Sequence, residues 1–371
     1  MKSLEREPFI MDKNIKKIVF FFLIILVGCK MNIENKQEDQ KYEWYASGNA
    51  PSLYPTELFF GDFIFTNGER LYIPESIPFA STWGSEGKTH LLNNNNIFPA
   101  PNSIDIIWLS LAENQFYSLE ATLPKKLIDN LLAEIDENTN DPKYDGIVVG
   151  MAPYGGLAVW LSGIGITTEV VWLQAEATDV VMKDFSPDSR LSQNEYVEFL
   201  LKECDKAYEN FQKNGLPDRM LFERYMQKFN YNITTKFEEE NANFEAIELF
   251  YYNGELNTTN SGEHELLTMR AKPSKIVIHW NIGKTKYSGY FWTDENKIIK
   301  TFSDFYENNM QKEGSFVIEI EESNKNFKFS MQNDTVITEI PIGEIQFIIF
   351  KNKFEFYRSP NYDKPQGGWR N

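Results

Sequence analysis

Ile104-Asp105-Ile106-Ile107-Trp108-Leu109-Ser110 and, further on, Ile276-Val277-Ile278-His279-Trp280 are the two stretches that decide the fold. Each is rich in β-branched residues and closes on a tryptophan, which suits a strand packed on a core. Each also has the same sequel. A strand-like run follows the first at 114–121, and Pro124 then opens a helix, where its missing N–H costs nothing. Leu127, Ile128, Leu131, Leu132 and Ile135 keep the helical period there. Behind the second stretch comes a strand over 287–292, and then a helix starts behind Thr293-Asp294, with Ile298, Ile299, Phe302, Phe305 and Tyr306 on one face.

The spacings agree as well. Ile107 to Ile147 is 40 positions and Ile278 to Val317 is 39, while Ile147 to Ala158 and Val317 to Lys328 are both 11. The pattern predicts an α+β chain of two similar antiparallel-sheet domains. Each has one packed helix in a strand–strand–helix–strands repeat, and a helical segment joins them. The expected spans are 43–190, 191–230 and 240–358. Within the first, Asn67-Gly68 lies between the strands 58–65 and 70–73, a hairpin signature. Strands are also expected at 146–151, 157–161 and 167–174. In the joining segment Ser192 and Glu195 form a capping box, and Gly215 with Pro217 closes the helix that follows. A second, shorter helix is expected over 220–229. The stretch 230–243 is polar and acidic and reads as a boundary. Residues 359–371 read as a flexible tail.

The N-terminus carries a different message. Lys13, Lys16 and Lys17 precede an unbroken apolar run of ten residues, Ile18 to Val27. As a helix that run would span ~15 Å, half of a ~30 Å bilayer core, so it has the proportions of a signal-peptide segment and not of a span. Leu26-Val27-Gly28-Cys29 follows and resembles the lipobox of bacterial lipoproteins. The resemblance implies cleavage of residues 1–28, acylation of Cys29 and a polar tether over 29–42. It places the protein in the cell envelope, lipid-anchored to the outer membrane and facing the periplasm or the cell surface, because Lys30 is not the retaining aspartate.

The chain has 371 residues and a net charge of -17. The leader carries five basic against three acidic residues, so the mature chain would stand at -19. Such a charge repels phosphate backbones and excludes nucleic acid as a partner. The expected partners are the membrane, through lipid on Cys29, and a protein; the charge allows a basic partner without demanding one. With Cys29 acylated, Cys204 has no disulfide mate, and it reads as a buried thiol on a helix face.

No catalytic signature is complete. Gly84-Ser85-Glu86-Gly87-Lys88-Thr89 looks like the end of a phosphate-binding loop, but Thr82 stands where its first glycine belongs. His264-Glu265 begins a zinc-protease motif, but Thr268 replaces the second histidine, which leaves His264 an exposed residue. The three histidines, His90, His264 and His279, are scattered, so neither a metal nor any other cofactor is expected. A carboxylate pair for glycan hydrolysis would have to come from Glu113, Glu169, Glu176 and Asp179. The suggestive residues are instead aromatic and lie near turns: Trp44, Tyr54, Trp83 with Gly84 and His90, and Tyr154.

Set side by side, these motifs resemble a family of bacterial lipoproteins known as domain of unknown function 2931. The likeness rests on Trp44 with Pro51 and Tyr54-Pro55, on Trp83-Gly84 with Gly87 and His90, and on residues 104–110. It continues through Glu113-Asn114-Gln115-Phe116-Tyr117, Leu123-Pro124, Tyr144 to Gly150, Ala152-Pro153, residues 159–163 and Gln174-Ala175-Glu176. It covers most of 43–190 and is loose after 216. The family brings no assigned activity. The chain thus reads as a non-enzymatic envelope binding protein. The rival readings are a periplasmic immunity protein against a delivered toxin and an envelope glycan hydrolase.

Overall fold

The computed structural model describes residues 39–358 apart from 77, 87–95, 138, 261, 308, 323, 325 and 351–353. The expected signal segment 1–28, Cys29, most of the tether, His90 and the tail 359–371 lie outside the described residues.

The first lobe runs β1 (Lys41–Glu43), β2 (Tyr45–Asn49), β3 (Thr56–Ile64), β4 (Arg70–Tyr72), β5 (Ile97–Pro99), β6 (Ser103–Ser110) and β7 (Gln115–Thr122). Helix α1 (Lys125–Leu132) follows, then β8 (Gly146–Met151), β9 (Gly156–Gly163), β10 (Ile166–Gln174) and β11 (Glu176–Thr178). Four helices link it to the second lobe: α2 (Met182–Phe185), α3 (Gln193–Glu203), α4 (Asp205–Asn214) and α5 (Leu221–Met226). The second lobe runs β12 (Phe229–Phe237), β13 (Ala242–Tyr251), β14 (Leu256–Thr259), β15 (Thr268–Arg270), β16 (Pro273–Ile282) and β17 (Thr285–Thr293). It continues through α6 (Glu295–Tyr306), β18 (Gly314–Ile320), β19 (Phe327–Gln332), β20 (Ile337–Glu339), β21 (Ile342–Phe350) and β22 (Phe354–Arg358).

The duplication is visible in the sheet order. One five-stranded sheet of the first lobe runs β11-β7-β6-β3-β4, and β21-β17-β16-β13-β14 repeats that order in the second. Opposite them lie β2-β8-β9-β10 and β12-β18-β19-β20, with β2/β8 and β12/β18 both parallel. The tryptophans hold equivalent places. Trp108 pairs across its hairpin with Tyr117, and Trp280 pairs with Tyr287.

The fold is α+β, and each lobe is closed by a second sheet as well as by its helix. Ile104, Ile106 and Trp108 meet Ile147, Val149, Leu157 and Val159 in the first core, with Ile128 and Leu132 of α1. In the second, Ile276, Ile278 and Trp280 meet Tyr231, Phe316, Ile318 and Phe329, with Ile298 and Phe302 of α6. Strand β8, Gly-Ile-Val-Val-Gly-Met, is buried along its whole length, as a strand covered on both faces must be. Edge strands β10 and β14 then pair, so that one ten-stranded sheet passes through both lobes.

Several local readings change. Helix α1 ends at Leu132, so Ile135 lies beyond it and is exposed, and Leu127 within it is exposed as well. The helix begun at the Ser192–Glu195 box breaks at Cys204, whose backbone (φ -104°, ψ 70°) leaves the helical region. The polar stretch 230–243 carries β12, because Phe229, Tyr231 and Ile233 alternate into the core between polar neighbours. His264 is buried at 4% exposure and stacked on Phe244, not exposed.

The two tryptophans differ in one respect that mutation can read. Trp280 Nε1 donates to the buried Asn324 Oδ1 at 3.0 Å, whereas Trp108 Nε1 has no partner among the described residues. Trp280→Phe therefore strands a buried acceptor and Trp108→Phe does not. Urea unfolding is expected to show Trp280→Phe as the costlier change by about 1–2 kcal/mol. Equal midpoint shifts would refute that account.

Candidate functional site

The aromatic residues singled out in the sequence separate into three places. Trp44 is 1% exposed and belongs to the first core: its Nε1 donates to the Phe98 carbonyl at 3.2 Å, and its ring meets Phe63 and Phe98 edge-on at 5.7 Å. A ring buried this deeply packs and offers no surface to a partner. The residue precedes β2, and the sequence could not show that β3 and β5 close over it.

Tyr54 and Trp83 come together at the seam between the lobes, through Phe222 of α5. Their ring centroids lie 6.2 and 5.3 Å from that of Phe222. Trp83 also stands edge-on to Trp160 at 4.7 Å, and Trp160 Nε1 donates across the seam to the Asn253 carbonyl at 3.0 Å. Gly84 is buried in the same seam. It and Gly254 both have positive φ (81° and 87°), and a Cβ on Gly84 would lie 2.1 Å from the Gly254 carbonyl oxygen. Gly84 is thus a point of backbone-to-backbone approach rather than a binding turn.

Tyr154 stands apart and has the features of a site. It lies in the 3-10 turn between β8 and β9 with φ 61° and ψ 26°, a left-handed conformation that a bulky side chain adopts only under constraint. The constraint is visible. Its N–H donates to Glu113 Oε2 at 2.8 Å, and its carbonyl accepts from Gln174 Nε2 at 2.6 Å. The phenol donates to the Pro217 carbonyl at 3.0 Å, and the Arg219 guanidinium lies 5.9 Å from the ring centre. Gly155 follows with φ 76°, where a Cβ would strike Tyr117.

Glu113 is the hub of this arrangement. Besides the Tyr154 amide, it accepts from the Tyr117 hydroxyl at 2.7 Å and from Ser110 Oγ at 2.8 Å. Burial, with the carboxylate of Glu113 next, pushes the Tyr117 phenol far up, and the same two causes raise that of Tyr154, against the pull of Arg219. Both phenols therefore stay protonated as donors. Three donors from three different places fix the Glu113 carboxylate, so it holds the geometry of the turn. Exposed Arg219 and the half-buried Tyr154 ring are what the cluster presents outward.

Glu169 accepts from Asn253 Nδ2 at 2.8 Å and shares Lys228 with Glu255, at 3.3 and 2.8 Å. Burial pulls the Lys228 ammonium down, but the two carboxylates, Glu255 first, raise it above its ordinary range. Glu176 and Asp179 are exposed.

Sequence reasoning missed a row on the outer face of the second lobe. Ser288 Oγ lies 2.8 Å from His279 Nδ1, and His279 Nε2 lies 3.4 Å from Glu248 Oε1. The three come from β17, β16 and β13, so only strand register could have revealed them. Backbone amides there are taken up in pairing on both sides, leaving no donors for an oxyanion. Beside them Lys275 lies 4.5 Å from the Phe250 ring centre and 5.4 Å from that of Trp292. Among the described residues no group of three metal-ligating side chains occurs. A cavity lined by Tyr45, Leu71, Tyr72, Asn96 and Phe98 measures about 20 Å³, room for one water molecule.

A family model described as "Protein of unknown function (DUF2931)" matches residues 30–218. That span holds the first lobe and the linking helices α2 to α4. Neither the curated proteins nor the solved structures contain a match.

Gly84 and Gly68 have nearly the same φ, 81° and 84°, but a Cβ on Gly68 meets nothing within 4 Å. Gly68→Ala should cost ~1 kcal/mol of conformational strain alone. Gly84→Ala adds a collision with backbone and should cost more than twice that. Thermal melting of both variants checks the difference, and equal losses would mean that the seam opens at no cost.

Proposed function

The chain belongs to the DUF2931 family, and on that premise we propose that it is a lipid-anchored, non-enzymatic recognition protein of the cell envelope, which grips a protein partner with a rim made by Tyr154 of its first lobe and Arg219 of the linking segment. The observation that carries the reading is the strained Tyr154 backbone. Left-handed geometry at a non-glycine residue costs ~1–2 kcal/mol, and here the Glu113 carboxylate, itself held by Tyr117 and Ser110, accepts from the strained amide. The strain aims an aromatic ring beside an exposed arginine, the two side-chain types that dominate binding hot spots.

Anchoring rests on the sequence Leu26-Val27-Gly28-Cys29 behind its ten-residue apolar run. Several acyl chains on Cys29 give firm attachment, because one alone binds reversibly. Outer-membrane placement is part of the same reading and follows from Lys30. A second reading, immunity against a delivered basic toxin, draws on the charge of -19 that the mature chain would carry. It differs from the first only in the identity of the partner.

The test has two arms. Radiolabelled palmitate should mark the wild-type chain and not Cys29→Ser. Cross-linking in intact envelopes should capture a partner that Tyr154→Asn and Arg219→Ala each lose by at least tenfold. Asparagine tolerates the left-handed backbone, so Tyr154→Asn should keep the wild-type urea midpoint within ~1 kcal/mol. An unlabelled wild type removes the anchor. Undiminished capture by both rim variants removes the site.

A further inference from the structure

Lys272 lies between β15 and β16 and is 1% exposed, the only lysine among the largest fully buried side chains described. Its Nζ donates to the Arg224 carbonyl at the C-terminal end of α5 and lies 4.8 Å above the Phe229 ring. The charge that acts on it is the guanidinium of Arg224, which has the same sign. Its own carbonyl accepts from Tyr252 N–H at 3.0 Å.

The place matters more than the lysine alone. Helix α5 fills the seam: Phe222 and Tyr225 pack against Tyr54, Trp83 and Trp172 of the first lobe and against Tyr252 and Ile299 of the second. The carbonyl that Lys272 holds belongs to the last turn of that wedge.

We propose that Lys272 is a proton-operated latch on the seam: neutral, it lies under α5 and keeps the lobes wedged; protonated, the ammonium sealed beside Arg224 loosens the last turn of α5. The titratable and charged groups around it are accounted for element by element. On α5, Arg224 pairs with Asp218 at 3.2 Å, and Tyr225 is bonded to Glu295 of α6. Before β12, Lys228 is held by Glu255 and Glu169. Arg270 of β15 donates to the carbonyls of Tyr231 and Leu266. Tyr231 of β12 and Tyr252 are raised by burial and stay neutral. Glu223, also on α5, is exposed to solvent, and the half-buried carboxylates of the seam, Glu169, Glu255 and Glu295, have other partners.

Burial, and then Arg224, pulls the Lys272 ammonium down to about 7. The ordinary lysine value is higher, so the opened state binds a proton that the closed state gives up between those two values. Closure is therefore favoured as pH rises above 7, and the full cost of burying the charge is present below it.

Hydrogen exchange of the amides at 221–226, followed by mass spectrometry on the full chain and corrected for intrinsic rates, reads the latch directly. From pH 8 to pH 6 the opening constant should rise about tenfold by linkage. Lys272→Met keeps the length of the side chain without the charge and should flatten that slope. Lys272→Arg stays charged throughout and should leave α5 weakly protected at every pH. Should the methionine variant fail to fold, the arginine variant decides. A wild-type α5 with no slope, or a slope that survives in either variant, overturns the latch.

Discussion

Two residue pairs, Ile166 with Asn257 and Thr167 with Leu256, join β10 to β14 and make one sheet of two lobes. So short a ladder cannot carry the junction by itself, since each hydrogen bond contributes ~1 kcal/mol net. It works because the seam around it is dense. The Thr258 amide donates to the Gly165 carbonyl at 2.8 Å, Gly84 and Gly254 meet backbone to backbone, and the Trp160 indole reaches Asn253. Lys228 bridges Glu169 of β10 and Glu255 before β14. That triad has two carboxylates for one lysine, and burial followed by Glu255 raises the Glu169 carboxyl against the pull of Lys228. A buried network of this kind is worth most as a fixer of register. Here the register it fixes is that of the lobes.

Pairing at the seam also ends a hazard. An unpaired β10 would offer a nine-residue edge of Val, Trp and Leu to any strand nearby. Fusing the lobes through this edge covers part of it, and the loop bearing Asn253 and Glu255 reaches Glu169 at mid-strand. The bulge between Glu169 and Val171 falls at this point, which turns the strand so that Glu169 can meet Lys228 while Trp172 continues toward the aromatic cluster.

The repeat was legible because it is written in local period: the tryptophans at 108 and 280, the hairpin spacing and the helix that follows each. Non-local pairing was not. Nothing in Tyr45–Asn49 announces a parallel partner a hundred residues on, and Phe229–Phe237 hid its alternation among asparagines and threonines. The aromatic residues misled in an instructive way. Trp83 and Tyr54 sit in irregular chain beside polar neighbours, as surface rings do, yet Phe222 of the linking helix α5 lies over them. A residue in a loop is exposed only if no other part of the chain lies over that loop, and one duplicated unit read alone cannot show what rests on it.

Glu113 marks the opposite case, where chemistry and not coverage decides. As one carboxylate among many it was indistinguishable in the sequence. In the fold it accepts from two residues within five positions of itself and from Tyr154, forty-one positions away. Strain at Tyr154 needs a compensating interaction, and a charge-assisted bond from its own amide supplies one that a neutral acceptor would match only in part. A chain with no use for that backbone could place glycine at 154, as it does at 155, and release Glu113 to solvent. That it holds a tyrosine there instead locates the demand in the ring, whose phenol bonds the Pro217 carbonyl with Arg219 beside it.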